Sequence, residues 1–149
     1  MEGKYSIYLT RYDDVYVPLL RRSCLAKSLN ANIYVSLHCN ASTNGSRGIE
    51  VYTLNYFSKD SKLNIKESIA LGMEVLDEAN LKLKIENRGM KFANFQVLRE
   101  IIPHCPTLLV ETGFLTNEDE GNYFLIPEKI RGMALAIFKG IDNYLKSRL

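Results

Sequence analysis

NIYVSLHCNAS, residues 32–42, is the stretch on which the reading of this chain turns. Ile33, Tyr34 and Val35 are β-branched or aromatic, the composition of a buried strand. Small and polar residues follow at once: Ser36, His38, Cys39 and Asn40. That change marks the carboxyl end of a strand, where open α/β sheets place their sites. A neutral imidazole at His38 could bind a metal or move a proton; it could equally be a hydrogen-bonded core histidine. A second strand, from Thr107 into Phe114, carries Glu111 in a comparable position and makes the pair worth following.

Working outward, 149 residues fit one domain with a real core. A hydrophobic content of 46% and a charged content of 24% are those of an ordinary globular chain. A net charge of +2 demands neither nucleic acid nor an anionic membrane. No apolar run is long enough to span a bilayer as a helix. The first residues, MEGKYSIYLTR, lack the apolar core and cleavage site of an export signal. Cys24, Cys39 and Cys105 are odd in number and lack metal-type pair spacing, so they read as free thiols.

The remaining elements follow from periodicity. Residues 5–10, YSIYLT, and 48–54, GIEVYTL, read as strands, the second alternating in a way that leaves one face free to meet solvent. Pro18 suits the first turn of a helix running to about Asn30. A helical pattern spans Ser58 to Glu86, with Ile69, Met73, Leu76 and Ala79 as its stripe. Asn87-Arg88-Gly89 reads as its cap, and Phe95 to Arg99 as a further strand. His104, between two prolines, belongs to a rigid loop. The last helix starts near Pro127, with Ile130, Met133, Ala134, Ile137, Ile141 and Leu145 along one side. Strands alternating with helices predict an α/β fold, a mainly parallel (mixed) twisted sheet flanked by helices. Right-handed crossovers would bring the ends of the 33–37 and 107–111 strands to one rim.

Several motifs then resemble one family in order along nearly the whole chain. These are YLTRYDD (8–14), LRRSCLA (20–26), SLHCNAS (36–42), NRGMKFANFQVLRE (87–100) and LLVETGFLTNEDE (108–120). Together they resemble the zinc-dependent N-acetylmuramoyl-L-alanine amidases of the Amidase_3 type. The position after Ala26, commonly Asn in that family, is Lys27 here. The resemblance implies a peptidoglycan hydrolase that cuts the amide between N-acetylmuramic acid and L-alanine. It implies Zn2+ as cofactor, His38 as a metal ligand and Glu111 as the catalytic general base. Asn40 and Arg88 would be substrate-binding, with turn-capping and a solvated loop position as their plainer alternatives. It also implies peptidoglycan as partner and a cell-wall or extracellular setting.

The family's pattern opens with a His-bearing glycine-rich loop and an acidic helix, which supply two of three zinc ligands. Nothing before Tyr5 resembles them, so residues 1–149 are expected to form an amidase domain lacking the family's first strand and helix. His104 and Glu50 are conceivable substitutes that no family pattern supports. The expectation is a chain that is a poor amidase or none alone, and that either associates through an exposed sheet edge or is only marginally stable. The alternatives to an enzyme are a catalytically incomplete fragment and a cell-wall-binding module. If the enzyme reading holds, His38 and Glu111 converge to within roughly 4–7 Å, so that one water can lie between metal and base.

Overall fold

The strand that crosses the middle of the sheet is the one read as half-exposed. In the computed structural model, which describes residues 5–55 and 61–148, nine elements follow in order. They are α1 (Leu19–Ser28), β1 (Tyr34–Asn40), β2 (Ile49–Leu54), α2 (Lys62–Leu83), β3 (Asn87–Ala93), α3 (Gln96–Ile101), β4 (Thr107–Phe114), α4 (Glu118–Tyr123) and α5 (Pro127–Lys146). The strands form one mixed sheet in the order β1-β4-β2-β3. β1 with β4 and β2 with β3 are parallel; β2 with β4 is antiparallel. The α/β class and the mainly parallel, mixed sheet are therefore as the sequence indicates. β2, flanked by β4 and β3, has five of its six residues buried, which corrects the one-sided reading of GIEVYTL.

Helices cover both faces. On one, Ile49, Val51, Leu108 and Val110 pack with Leu71, Val75, Leu76 and Ala79 of α2 and Met133, Ile137 and Tyr144 of α5. On the other, Tyr34, Leu54 and Leu109 pack with Ala26 of α1 and Val97, Leu98 and Ile101 of α3. Burial of these aliphatic side chains is the main favourable term, at roughly 1.5–3 kcal/mol each. The buried stripes differ in detail from the periodic ones. Met73, Ile130 and Ala134 are exposed, and the α5 side turned inward is Met133, Ala136, Ile137, Gly140 and Tyr144.

Three local readings are corrected. Residues 5–9 join no strand ladder, and Ile7, Tyr8 and Leu9 are exposed. Only the Tyr5 hydroxyl reaches far, to buried Asp142 of α5 at 2.9 Å, with its ring edge-on to Phe138. Asn87-Arg88-Gly89 does not cap α2; Lys84 does, in the left-handed conformation, and Asn87 already starts β3. Phe95 to Arg99 is not a strand, because Phe95 is the N-cap of α3 and the apolar residues behind it sit at helical spacing. The start of the helical pattern at Ser58 lies outside the described residues, which resume at Ser61.

α2 and α5 run so close that Gly140 has no room for a side chain. A Cβ there would lie 2.6 Å from Val75 Cα and 2.8 Å from Glu74 O. Both obstacles are backbone, so they cannot swing aside. Gly140→Ala should therefore force the helices apart and destabilise the fold by about 1–3 kcal/mol. Differential scanning calorimetry should show a Tm lower by roughly 2–4 °C per kcal/mol for a chain of this size. An unchanged or higher Tm would contradict this packing.

Candidate functional site

The parallel ladder sets His38 of β1 opposite Glu111 of β4, and the antiparallel ladder sets Glu111 opposite Glu50 of β2. Directly paired residues point to the same face, so His38, Glu111 and Glu50 form a lateral row across three strands. Neighbouring strands are about 4.7–4.9 Å apart, so the row is about 10 Å long. The two residues singled out from separate strand ends thus share one rim and one face.

Register breaks occur on both sides of this row. Between His38 and Asn40 the β1–β4 pairing shifts by one residue, as does the β2–β3 pairing between Ile49 and Val51. Bulges of this kind re-aim side chains beside sites. At the first, Thr112 Oγ1 donates to the His38 carbonyl at 3.0 Å. At the second, Gly89 takes φ +84°, a left-handed conformation that favours glycine, and its N–H is held by Asn87 Oδ1 at 2.9 Å.

Glu50 is the hub of the site. Its side chain is only 3% exposed, yet its carboxylate is fully partnered. Oε1 accepts from Arg88 Nε at 2.7 Å and from Lys91 Nζ; Oε2 accepts from the Tyr52 hydroxyl at 2.7 Å and Asn40 Nδ2 at 3.2 Å. Burial works against the Glu50 charge, but the bonds from Lys91, Arg88 and Tyr52 outweigh it and hold its carboxyl below the usual range. The cluster pushes the Tyr52 phenol up to about 12, through burial first and then the Glu50 charge that its hydroxyl supports.

Glu111, one strand away, meets the opposite environment. Its Oε2 is buried and has no hydrogen-bond partner among the described residues. Burial, then the Glu50 charge, raises its carboxyl above the ordinary value. A buried, underpartnered carboxyl of raised basicity is what a proton-transfer group requires. His38 is held by Ser36, whose Oγ lies 2.9 Å from Nε2. Burial and then the charge of Arg22 on α1 lower its pKa, so the ring is neutral at pH 7.

Asn40 and Arg88, read from sequence as substrate-binding, both converge on Glu50. Asn40 also accepts the Ala41 N–H at 2.8 Å, and Arg88 lies over the Phe114 ring at 5.3 Å. His104 is in the loop before β4, at the opposite end of that strand from Glu111. It helps line a separate cleft of about 280 Å³ with Lys27, Asn30 and Asn32. Sequence reasoning missed Glu120, whose Oε1 accepts the Gly48 N–H and whose Oε2 accepts the Phe114 N–H, each at 2.7 Å. The signal was present, since Asn117 caps α4 and Glu120 stands three residues on, the spacing of a capping box.

Zinc needs three or four protein donors. Among the described residues no three His, Cys, Asp or Glu side chains come together to hold a metal. In the row itself, Glu50 is committed to four donors, which leaves His38 and Glu111. The described residues therefore do not make a zinc site by themselves.

Comparison with known proteins gives the family and the fold. The family model described as N-acetylmuramoyl-L-alanine amidase, Amidase_3, matches residues 1–143. The N-acetylmuramoyl-L-alanine amidase AmiC of Neisseria meningitidis serogroup B is 28% identical over 180 residues, covering 96% of this chain. The chain spans only 43% of that relative's length. Among solved structures, N-acetylmuramoyl-L-alanine amidase AmiC2 of Nostoc punctiforme superposes with a TM-score of 0.81 at 33% identity, covering 93% of this chain and 72% of that one. The N-acetylmuramoyl-L-alanine amidase from Clostridium difficile 630 gives 0.79 at 33% identity, with 93% and 71% covered.

The raised Glu111 carboxyl has a consequence for stability. A carboxyl whose folded pKa lies above its unfolded one contributes most below the unfolded value and loses that contribution as pH rises through the folded one. Glu111→Gln, which cannot ionise, should match the parent near pH 4 and become progressively more stable than it towards pH 8. Urea denaturation of the metal-free protein at both pH values measures this. A variant less stable at pH 8 would mean that the Glu111 charge is supported, not penalised.

Proposed function

Because its residues 1–143 match that family's model, the chain belongs to the N-acetylmuramoyl-L-alanine amidases of the Amidase_3 type, and we propose that it serves hydrolysis of the amide joining N-acetylmuramic acid to L-alanine in peptidoglycan. The observation that carries this reading is the Glu111 carboxyl, buried with no partner for Oε2 among the described residues and level with His38 on one face. Glu111 takes a proton from the water that attacks the lactyl carbonyl. A C–O bond forms, the C–N bond breaks, and the proton passes to the departing alanine nitrogen. The products are a free lactyl carboxyl and a free amine. His38, neutral and steered by Ser36, borders the same space.

Zinc enters through the family. His38 is the donor that the family resemblance assigns among the described residues. The lack of a three-donor cluster among those residues favours a second reading, a wall-binding fragment that grips peptidoglycan without cutting it. Either way the setting is the cell wall or the extracellular space, with the glycan peptide as partner. The position of β1 at the edge of the sheet among the described residues, together with exposed Ile7, Tyr8 and Leu9, favours self-association.

Two measurements separate the readings. An amidase retains about one zinc per chain after dialysis, because a complete site does not exchange its metal freely. It also releases new amino termini from purified peptidoglycan, and Glu111→Gln should lower that rate by about 10²-fold or more while sedimentation with the wall is kept. Near-parent activity in that variant would remove Glu111 from the reaction. Wall binding with no release by the parent protein, zinc added, would establish the second reading.

A further inference from the structure

A further charge stands beside His38, on α1. That helix ends at Ser28, and residues 29–33 turn the chain into β1. Ala26, near the helix end, packs in the cluster that holds Tyr34 at the start of β1. α1 therefore runs back along β1, and its first turns lie towards the end of β1 that carries His38. Arg22 is one turn before Ala26 on the same stripe, about 6 Å nearer that end. Its side chain points further the same way, because Nε donates to the Val17 carbonyl, five residues up the chain, at 2.9 Å. The guanidinium is half-buried, and among the described residues no carboxylate comes within ion-pair distance of it. Asp14, in the preceding loop, pairs with Arg11, and Glu50 with Arg88 and Lys91. With Nε engaged, Nη1 and Nη2 remain for a ligand. Burial and then the Arg22 charge lower the His38 pKa, whereas Glu111 responds to burial and to Glu50. Arg22 thus belongs to the His38 end of the row and does not quench the base. A half-buried cation beside a neutral ring becomes paired when an anion arrives, through a charge-assisted bond.

We propose that Arg22 is a further substrate-contacting residue of this site, whose guanidinium receives the negative charge that hydrolysis places on the lactyl carboxyl group. This rests on the amidase-family reading of the Glu111 face. The reaction there starts from a neutral amide, passes through an oxyanion and ends at a carboxylate on the same carbon. A cation fixed in advance favours the charged forms over the amide, and so favours turnover. Glu111 reaches the row from β4 and Arg22 from α1, so the base keeps its proton affinity while the cation is held apart from it. Both groups act on the one carbon that changes, whichever way the peptide runs.

The test needs neither metal nor turnover. The full chain, freed of metal, is titrated calorimetrically at low salt with N-acetylmuramic acid and, separately, with its lactyl carboxamide. The two differ only in the group that the reaction changes. The acid should bind about tenfold more tightly, a charge-assisted bond against a neutral one, and the preference should shrink as salt is raised. Arg22→Gln has a similar helix propensity and keeps an N–H for the Val17 carbonyl. It should cut the preference to about twofold or less while leaving affinity for the carboxamide within about twofold of the parent. Arg22→Lys, which keeps the charge, should keep a preference for the acid, a rescue that a merely structural role would not give. Equal binding of acid and carboxamide by the parent protein overturns the proposal and leaves the amidase reading intact. So does a preference that survives Arg22→Gln unchanged, since the charge would then be read by Arg88 and Lys91. Binding of neither probe overturns both.

Discussion

A carboxylate taken out of water loses hydration worth several kcal/mol unless other donors replace it. That constraint, met at Glu50, organises one face of this sheet. Its donors come from three strands: Asn40 at the end of β1, Tyr52 two residues along β2, and Arg88 and Lys91 on β3. A shift of β3 by one residue would turn both cations to the other face and leave Glu50 buried and bare. The bulge at Gly89 thus belongs to the electrostatics of the site as much as to its backbone. Glu111, on the adjoining strand, lacks such donors, and the pair follows the pattern of two carboxylates driven apart in basicity by their surroundings.

The opposite face supplies rigidity. Here β2 and β4 press aliphatic residues onto α2, and α5 closes over α2 at a distance that only Gly140 permits. Side chains that hold a reacting geometry do so best from strands with both faces packed. Glu50 and Glu111 stand on the two strands that fill the middle of the sheet, and His38 on the neighbour of one of them.

The parts legible in the sequence were those decided by local composition. The 32–42 stretch read as a strand with a polar end because aromatic and β-branched residues precede His38, and LLVETGF read likewise. Their shared rim followed from right-handed crossovers in a parallel sheet; the direct pairing of His38 with Glu111 is seen in the structure. The segment 87–101 failed for a physical reason. Asn87-Arg88-Gly89 looks like a helix end, but Arg88 and Lys91 pair with Glu50 from an edge strand that starts at Asn87. Phe95 to Arg99, read as a strand, turns helical from Gln96 because Val97, Leu98 and Ile101 sit at helical spacing and join the cluster that holds Tyr34 and Leu109. Residues 5–10, read as a strand, join no ladder among the described residues. The convergence of Asn40 and Arg88 on Glu50 could not be read, since it depends on sheet order and not on spacing along the chain.

The loop between β1 and β2 is held at both ends by one stretch of chain. Ser42 exchanges two bonds with Thr116, its N–H donating to Oγ1 at 2.8 Å and its carbonyl accepting the Thr116 hydroxyl at 2.8 Å. Gly48 is pinned by Glu120 at 2.7 Å. Between these posts the segment meets the Glu50 cluster at the Arg47 carbonyl, which accepts from Arg88 Nη1 at 3.4 Å. Added length there would change only the entropy of closing a loop, about 0.6 kcal/mol for each doubling. Residues 43–46 are therefore the natural point of growth in this fold, where a lineage can graft a lid or a recognition arm while the Arg47 contact with Arg88 is kept.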